Sequence, residues 1–175
     1  MENPIVAVLA RKVDEDTVLI EEMLQMVPAG KEEWRPDWLS STGEPAFSVT
    51  RLAAHLVESY GGLTACFARL HGEKLAQFEA LKDQIAEAKS PSLAESRALI
   101  ASCRIHAAEG FAATSDADLS SLIVTYFSPK GEPFLETLLS NWKHIHHHAH
   151  QLFLYLKLLG VPVSTQHLYR FKTKE

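Results

Sequence analysis

Cysteine is scarce in this sequence, which has two, Cys66 and Cys103, among 175 residues. Small proteins that rely on disulfides carry cysteine at much higher density, so a disulfide framework is excluded. Each cysteine lies within an apolar helical pattern, which predicts two buried free thiols. A chain of this length can bury a core without cross-links, and we expect a single domain over residues 1–175.

Long apolar runs and an excess of basic residues are also missing. No stretch reaches the roughly 20 apolar residues that span a bilayer, and the N-terminal sequence turns charged too early for a secretory signal. The 17 basic and 22 acidic side chains give a formal net charge of -5. Nucleic acids and anionic membranes attract basic surfaces, so we expect neither as a partner. The predicted location is the cytoplasm.

Apolar residues recur at helical spacing in four long segments. Helix-capping patterns mark their limits: an N-cap serine at Ser48, a capping box at Ser92 and Glu95, and terminating glycines at Gly72 and Gly160. The predicted long helices cover residues 14–27, 48–72, 92–111 and 133–159, with a shorter helical stretch over 73–88. The pattern predicts an all-α protein, most simply an antiparallel four-helix bundle with short extra helices.

The loop between the first two predicted helices contains Trp34 and Trp38. Indole rings in a loop bury a large apolar area when they lie against a core. We therefore expect this loop to pack onto the helices.

Histidine, in contrast, is abundant and concentrated. Five of the nine histidines lie in the stretch 144–150 of the fourth predicted helix. His144 and His148 are four residues apart, and so are His146 and His150, which places each pair on one helix face, one turn apart. Two imidazoles at this spacing can bind one metal ion.

The helical wheel does not choose cleanly between these two pairs. At about 100° per residue, His148 and His150 lie on opposite sides of the core residue Ala149, and the wheel alone slightly favours the pair that ends at His150. A third ligand must come from another helix. His55, at the border of the apolar stripe of the second helix, is a candidate.

The segments around these histidines resemble the DinB/YfiT-like superfamily, whose members are regarded as metal-dependent enzymes. Residues 47–56, FSVTRLAAHL, resemble the family's second helix, and residues 24–38, with their W-R-P-D run, resemble the segment before it. The family's fourth helix shows H-x-x-H-H-x-x-Q, an apolar run and a glycine, here His144, His147, His148, Gln151 and residues 152–160. The likeness covers nearly the whole chain and departs at residues 149–150, where Arg-Gly is common in the family.

The resemblance implies a DinB/YfiT-like four-helix bundle and a divalent metal site with one ligand on the second helix and an H-x3-H pair on the fourth. Carried over, the ligands are His55, His144 and His148. Relatives include transferases and isomerases that use low-molecular-weight thiols, which implies such a thiol as a substrate here. Relatives are often homodimers, so we expect a dimer. Imidazole suits several metals, of which we expect zinc or nickel, with iron as an alternative.

Three imidazoles leave the metal with an open coordination position, whereas structural zinc sites usually have four protein ligands. The leading hypothesis is therefore a metal-dependent enzyme, a thiol S-transferase or a hydrolase, acting on a small molecule. Glu58 is a candidate base, although a solvated glutamate is the simpler interpretation, and Gln151 either supports the site or makes an interhelical hydrogen bond. The alternatives are a non-catalytic metal-binding or stress-response module and a helical interaction protein with fortuitous histidines.

Overall fold

The computed structural model describes residues 4–37, 43–75 and 77–169, and within them it contains five α-helices. They are α1 (Pro4–Gln25), α2 (Val49–His71), α3 (Gln77–Glu87), α4 (Leu93–Ala113) and α5 (Phe134–Leu158). Two short strands, β1 (Leu122–Ile123) and β2 (Glu132–Pro133), pair antiparallel just before α5. The helical class predicted from the sequence is confirmed. Each helix seen in these ranges is too short or too polar to serve as a membrane span.

Three of the predicted helix limits follow the capping chemistry of the sequence. The Ser48 hydroxyl accepts the backbone N–H of Arg51 at 3.1 Å, and α2 begins at the next residue. Ser92 and Glu95 form a complete capping box at the start of α4. Gly72 ends α2 with a positive φ of 56°, a backbone conformation that glycine adopts without strain.

The start of the first helix differs from the prediction. The first helix begins at Pro4, not at Asp14, because the apolar stripe continues toward the N-terminus in three buried residues: Val6, Leu9 and Val13. The apolar run over 119–127, which lies between two predicted helices, forms a 3-10 turn and β1. Tyr126 and Phe127 at its end are almost fully exposed.

Helices α2 and α5 pack side by side and run in opposite directions. Near one end of the pair, the His55 ring of α2 lies against the rings of His144 and His148 in α5. Near the other end, the rings of Phe67 and Phe134 meet edge to face, with centroids 5.5 Å apart. The N-terminal half of α2 therefore faces the middle of α5, and the C-terminal half of α2 faces the start of α5.

Gly110 of α4 lets that helix lie close to α2. A β-carbon at this position would overlap the buried ring of Phe67, so only glycine allows the two helices to lie this close. The same ring meets Phe111 edge to face at 4.9 Å. Helix α2 is thus held firmly between α4 and α5.

A buried carboxylate joins α1 to α5. Asp16, which is 8% exposed, accepts the indole N–H of Trp142 at 2.8 Å and a hydrogen bond from Nδ1 of His146 at 3.0 Å. A buried carboxylate needs such donors, because burying it without them is costly. The acidic run that begins at Asp14 is therefore not a helix start; one of its members holds α5 instead.

The loop between α1 and α2 packs against both α2 and α5. The backbone N–H of Val49 donates to the Trp34 carbonyl at 3.0 Å. The Trp34 ring meets Tyr155 of α5 edge to face at 5.4 Å. The predicted packing is confirmed for Trp34, while Trp38 lies outside the described residues.

Candidate metal centre

Three histidines converge at the contact between α2 and α5. One ring nitrogen from each of His55, His144 and His148 lies within 4.8 Å of the others. The Nε2 atoms of His55 and His144 are 3.1 Å apart. Two nitrogens bound to one zinc ion at about 2.0–2.1 Å lie about 3.4 Å apart at a tetrahedral angle. The spacing of these side chains therefore fits a single divalent ion.

The other histidines of α5 point elsewhere. His146 is bonded to Asp16 on the α1 side, and Nδ1 of His150 bonds the backbone carbonyl of His146 at 3.0 Å. His147 is exposed. The pair that the helical wheel slightly favoured is therefore turned toward α1 and does not approach His55. The pair implied by the family resemblance is the one that faces α2.

Hydrogen bonds at the far side of two rings fix how these histidines are turned. Nδ1 of His55 lies 3.0 Å from a carboxylate oxygen of Glu58, and Nδ1 of His148 lies 2.9 Å from the amide oxygen of Gln151. A carboxylate and an amide oxygen only accept, so each Nδ1 carries the proton. The unprotonated nitrogen of both rings is then Nε2, the atom available to a metal.

Glu58 and Gln151 are themselves held in place. Arg51 donates to both carboxylate oxygens of Glu58, at 2.8 and 3.4 Å. Burial acts to raise the pKa of Glu58, but hydrogen bonds from Arg51 and His55 outweigh it and hold this pKa below its usual value. The amide of Gln151 donates to the Tyr155 hydroxyl at 2.9 Å. Glu58 is thus ionised and engaged, and Gln151 bonds within α5 rather than between helices.

Two imidazoles of α5, those of His144 and His148, have lowered pKa values, which favours the neutral form that binds metal. Burial lowers the pKa of His144, and the neighbouring His55 and His147 lower it further. Burial also lowers the pKa of His148, against the hydrogen bond to Gln151, which raises it. Metal ligation requires an unprotonated nitrogen, so both shifts favour binding near neutral pH.

The cluster is open to solvent on one side. His144 is exposed, while His55 and His148 are half-buried. Within the described ranges, the group of candidate ligands consists of these three side chains. Both cysteines are buried thiols, as predicted. Burial raises the pKa of Cys66 to about 11 and that of Cys103 to about 12, so neither is a ready thiolate ligand.

An aromatic and basic wall lies beside His55. The Phe47 ring meets His55 edge to face at 5.4 Å, and the Arg51 guanidinium lies over Phe47 at 5.3 Å. A shallow pocket of about 490 Å³ is lined by Phe47 and Arg51 and by none of the three histidines. Its other lining residues are Glu33, Arg35, Pro45, Ala46 and Ser48. A larger cavity of about 970 Å³ lies between α1 and α4 and contains none of the three histidines.

Comparison with known proteins leaves the family open. No family model matches the chain, and no curated protein is detectably similar to it. The DinB/YfiT-like resemblance therefore stays a prediction that rests on the motifs themselves.

Sequence reasoning did not find the roles of Arg51, Phe47 and Tyr155. Helical spacing carries a signal for two of them: Arg51 lies one turn before His55, and Tyr155 lies one turn after Gln151. Phe47 lies outside α2, and its approach to His55 depends on how the preceding loop folds back.

Replacing any of the three clustered histidines should remove the metal. We expect His55→Ala, His144→Ala and His148→Ala each to lose most bound zinc, because two imidazoles hold an ion far less tightly than three. Metal content per chain of untagged, dialysed protein measures this. The matched controls are His147→Ala and His150→Ala, which should keep nearly full occupancy. A loss in His150→Ala equal to that in His148→Ala would show that the wrong face was chosen.

The metal-free protein should lose stability as the pH falls below about 6.5. The pKa values of His144 and His148 lie below the unfolded value of 6.5, so the unfolded state binds protons first and the free energy of unfolding decreases. Well above pH 6.5 both states are neutral and this contribution is constant. Urea unfolding with chelator at pH 7.5 and 5.5 measures the loss. A His144→Gln, His148→Gln double variant should lose less; an equal loss would contradict the lowered pKa values.

Proposed function

We propose that this protein is a metal-dependent enzyme in which His55, His144 and His148 hold one divalent ion, zinc or nickel. The convergence of their ring nitrogens within 4.8 Å is the observation that carries the proposal. Bound there, the ion would supply Lewis acidity, which lowers the pKa of a water or thiol and polarises an electrophile. Iron is the alternative metal.

The solvent-exposed side of the cluster supports a catalytic rather than a structural role. Three ligands from two helices cover one side of an ion, and His144 at the surface leaves the other side accessible. A closed structural site would need a fourth side chain. The described residues place no cysteine or carboxylate in that position.

A small molecule fits this site better than a macromolecule. The pocket lined by Phe47, whose ring contacts His55, has a volume of about 490 Å³, which suits a small-molecule substrate held next to the cluster. The net charge of -5 opposes a nucleic acid or an anionic membrane. Because Cys66 and Cys103 are buried with raised pKa values, a thiol nucleophile would have to come from solution. A thiol S-transferase would therefore use a low-molecular-weight thiol, the substrate that the resemblance implies, and a hydrolase is the other reaction.

The same proposal includes the family and its architecture. The antiparallel contact of α2 and α5, with histidines on the facing sides, supports a DinB/YfiT-like four-helix bundle formed by α1, α2, α4 and α5. The resemblance further supports a cytoplasmic homodimer.

A non-catalytic metal-binding module is the second candidate, and one observation favours it. Glu58 is the carboxylate next to the cluster, and it is already bonded to Arg51 and His55. An engaged carboxylate is a poor general base. In this case the site would hold metal without turning over a substrate.

Cobalt-substituted protein distinguishes the two candidates. Titration with 2-mercaptoethanol should add a sulfur-to-cobalt charge-transfer band, because an accessible coordination position admits the thiol. His148→Ala, treated in the same way, should show no such band. The loaded protein should also accelerate thiol transfer to an aryl chloride, or hydrolysis of an ester, above the rate of His148→Ala. A fully loaded protein with an unchanged spectrum and no added rate would contradict the enzyme and support the module.

A further inference from the structure

Two of the three clustered histidines carry the same kind of support. In α2, Nδ1 of His55 is bonded to Glu58, three residues later. In α5, Nδ1 of His148 is bonded to Gln151, also three residues later. We propose that Glu58 and Gln151 are positioning residues of the metal centre, each holding one ring so that its Nε2 faces the ion. This inference rests on the metal site proposed above.

We call each supported histidine with the residues that hold it an arm. The His55 arm consists of His55, Glu58 and Arg51, and the carboxylate of Glu58 is fixed by Arg51. Glu58 accepts from the ring at 3.0 Å, while Arg51 holds both oxygens of the carboxylate. An acceptor on the far side of a metal-binding imidazole fixes the tautomer and the orientation of the ring. Arg51 limits the rotation of the carboxylate and so keeps it aimed at the ring. All three side chains lie on one face of α2, at spacings of four and three residues.

Replacing Glu58 is expected to change metal affinity without changing the stability of the fold. The Glu58 side chain is 50% exposed, and its ion pair with Arg51 lies at the surface. Exposed ion pairs contribute little to stability. A change at Glu58 therefore tests the site and leaves the helices intact.

The His148 arm ends in a neutral amide that is bonded on both sides. The Tyr155 hydroxyl accepts the amide N–H of Gln151 at 2.9 Å, and the amide oxygen lies toward Nδ1 of His148. A metal bound at Nε2 would leave the proton of His148 on Nδ1, and the amide oxygen is the end of Gln151 that can accept it. Tyr155 is in turn buried and packed against Trp34, so the whole arm is set by the core.

The third ligand lacks an equivalent partner. In the described part of the chain, the hydrogen bond of His144 is to the ring of His55, and no acceptor holds its Nδ1. The three ligands are therefore unequal: His55 has an anionic partner, His148 has a neutral one, and His144 has neither. Because the partners differ, replacing each one separately measures its own effect on metal affinity.

Cobalt affinity, measured at pH 7.5 by competition with a chromophoric chelator, tests the His55 arm. We expect Glu58→Ala to raise the dissociation constant roughly 10- to 100-fold. Glu58→Gln loses the charge but keeps an acceptor for Nδ1, and it should recover most of this loss. The control Glu136→Ala removes an exposed carboxylate at the start of α5, and this variant should bind cobalt as tightly as the parent does. If Glu58→Gln binds as weakly as Glu58→Ala, charge rather than positioning is responsible and the inference fails.

The same assay tests the His148 arm. Gln151→Ala should weaken cobalt binding, by roughly 10-fold or more. Gln151→Glu should bind at least as tightly as the parent, because its carboxylate can accept from both His148 and Tyr155. A merely structural role for Gln151 would not be improved by this change. Gln151→Glu that binds no better than Gln151→Ala would overturn the role.

The two proposals fail in different ways. If the parent protein binds no cobalt, or the variants His55→Ala and His148→Ala bind it as well as the parent does, the metal site itself is wrong. If the histidine variants lose the metal while Glu58→Ala and Gln151→Ala keep the parent affinity, only the positioning role is wrong. Circular dichroism and urea unfolding in chelator confirm that each variant is folded.

Discussion

The candidate metal centre depends on how α5 is rotated about its own axis. Histidines cover much of the circumference of this helix over residues 144–150, so its rotation decides which of them face α2. The buried side chains Ile145, Ala149 and Leu152 anchor one side of the helix in the core. Asp16 of α1 then takes hydrogen bonds from Trp142 and His146, which fixes the adjacent side. A rotation by one residue, about 100°, would break both sets of contacts at once.

With α5 fixed in this way, little has to move when a metal binds. The Nε2 atoms of His55 and His144 are 3.1 Å apart, and Glu58 and Gln151 already hold two of the rings in one tautomer. The side chains are already ordered when the protein folds, so metal binding does not have to bear the loss of their conformational entropy. The lowered pKa of His148 removes proton competition near neutral pH as well. The packing that orders α2 and α5 therefore also orders the candidate ligands.

Local chemistry predicted much of the fold. Ser48, Ser92 and Gly72 limit their helices in the structure because capping depends on a few neighbouring residues. The start of α1 was missed because the acidic residues after Val13 look like an N-terminal turn, whereas one of them is a tertiary contact. The β1–β2 pair was not predicted because each strand has only two residues, too few to show an alternating pattern.

The choice among the histidines shows what sequence periodicity cannot predict. A helical wheel measures how far His146 and His144 lie from the apolar stripe, and it carries no information on which helix borders each side of that stripe. Here α1 borders one side and α2 the other. His146 of the nearer pair therefore meets Asp16, while the farther pair meets His55. The motif resemblance indicated that His144 and His148 face α2, whereas composition and spacing did not.

Crystallography of the zinc-loaded protein tests the central claim most directly, because anomalous scattering at the zinc edge locates the ion itself. The account predicts one strong peak between α2 and α5, about 2.0–2.1 Å from one nitrogen of each of His55, His144 and His148. It also predicts a further, non-protein ligand on the solvent side. A peak between His146 and His150, or an ion coordinated by a cysteine, would contradict it.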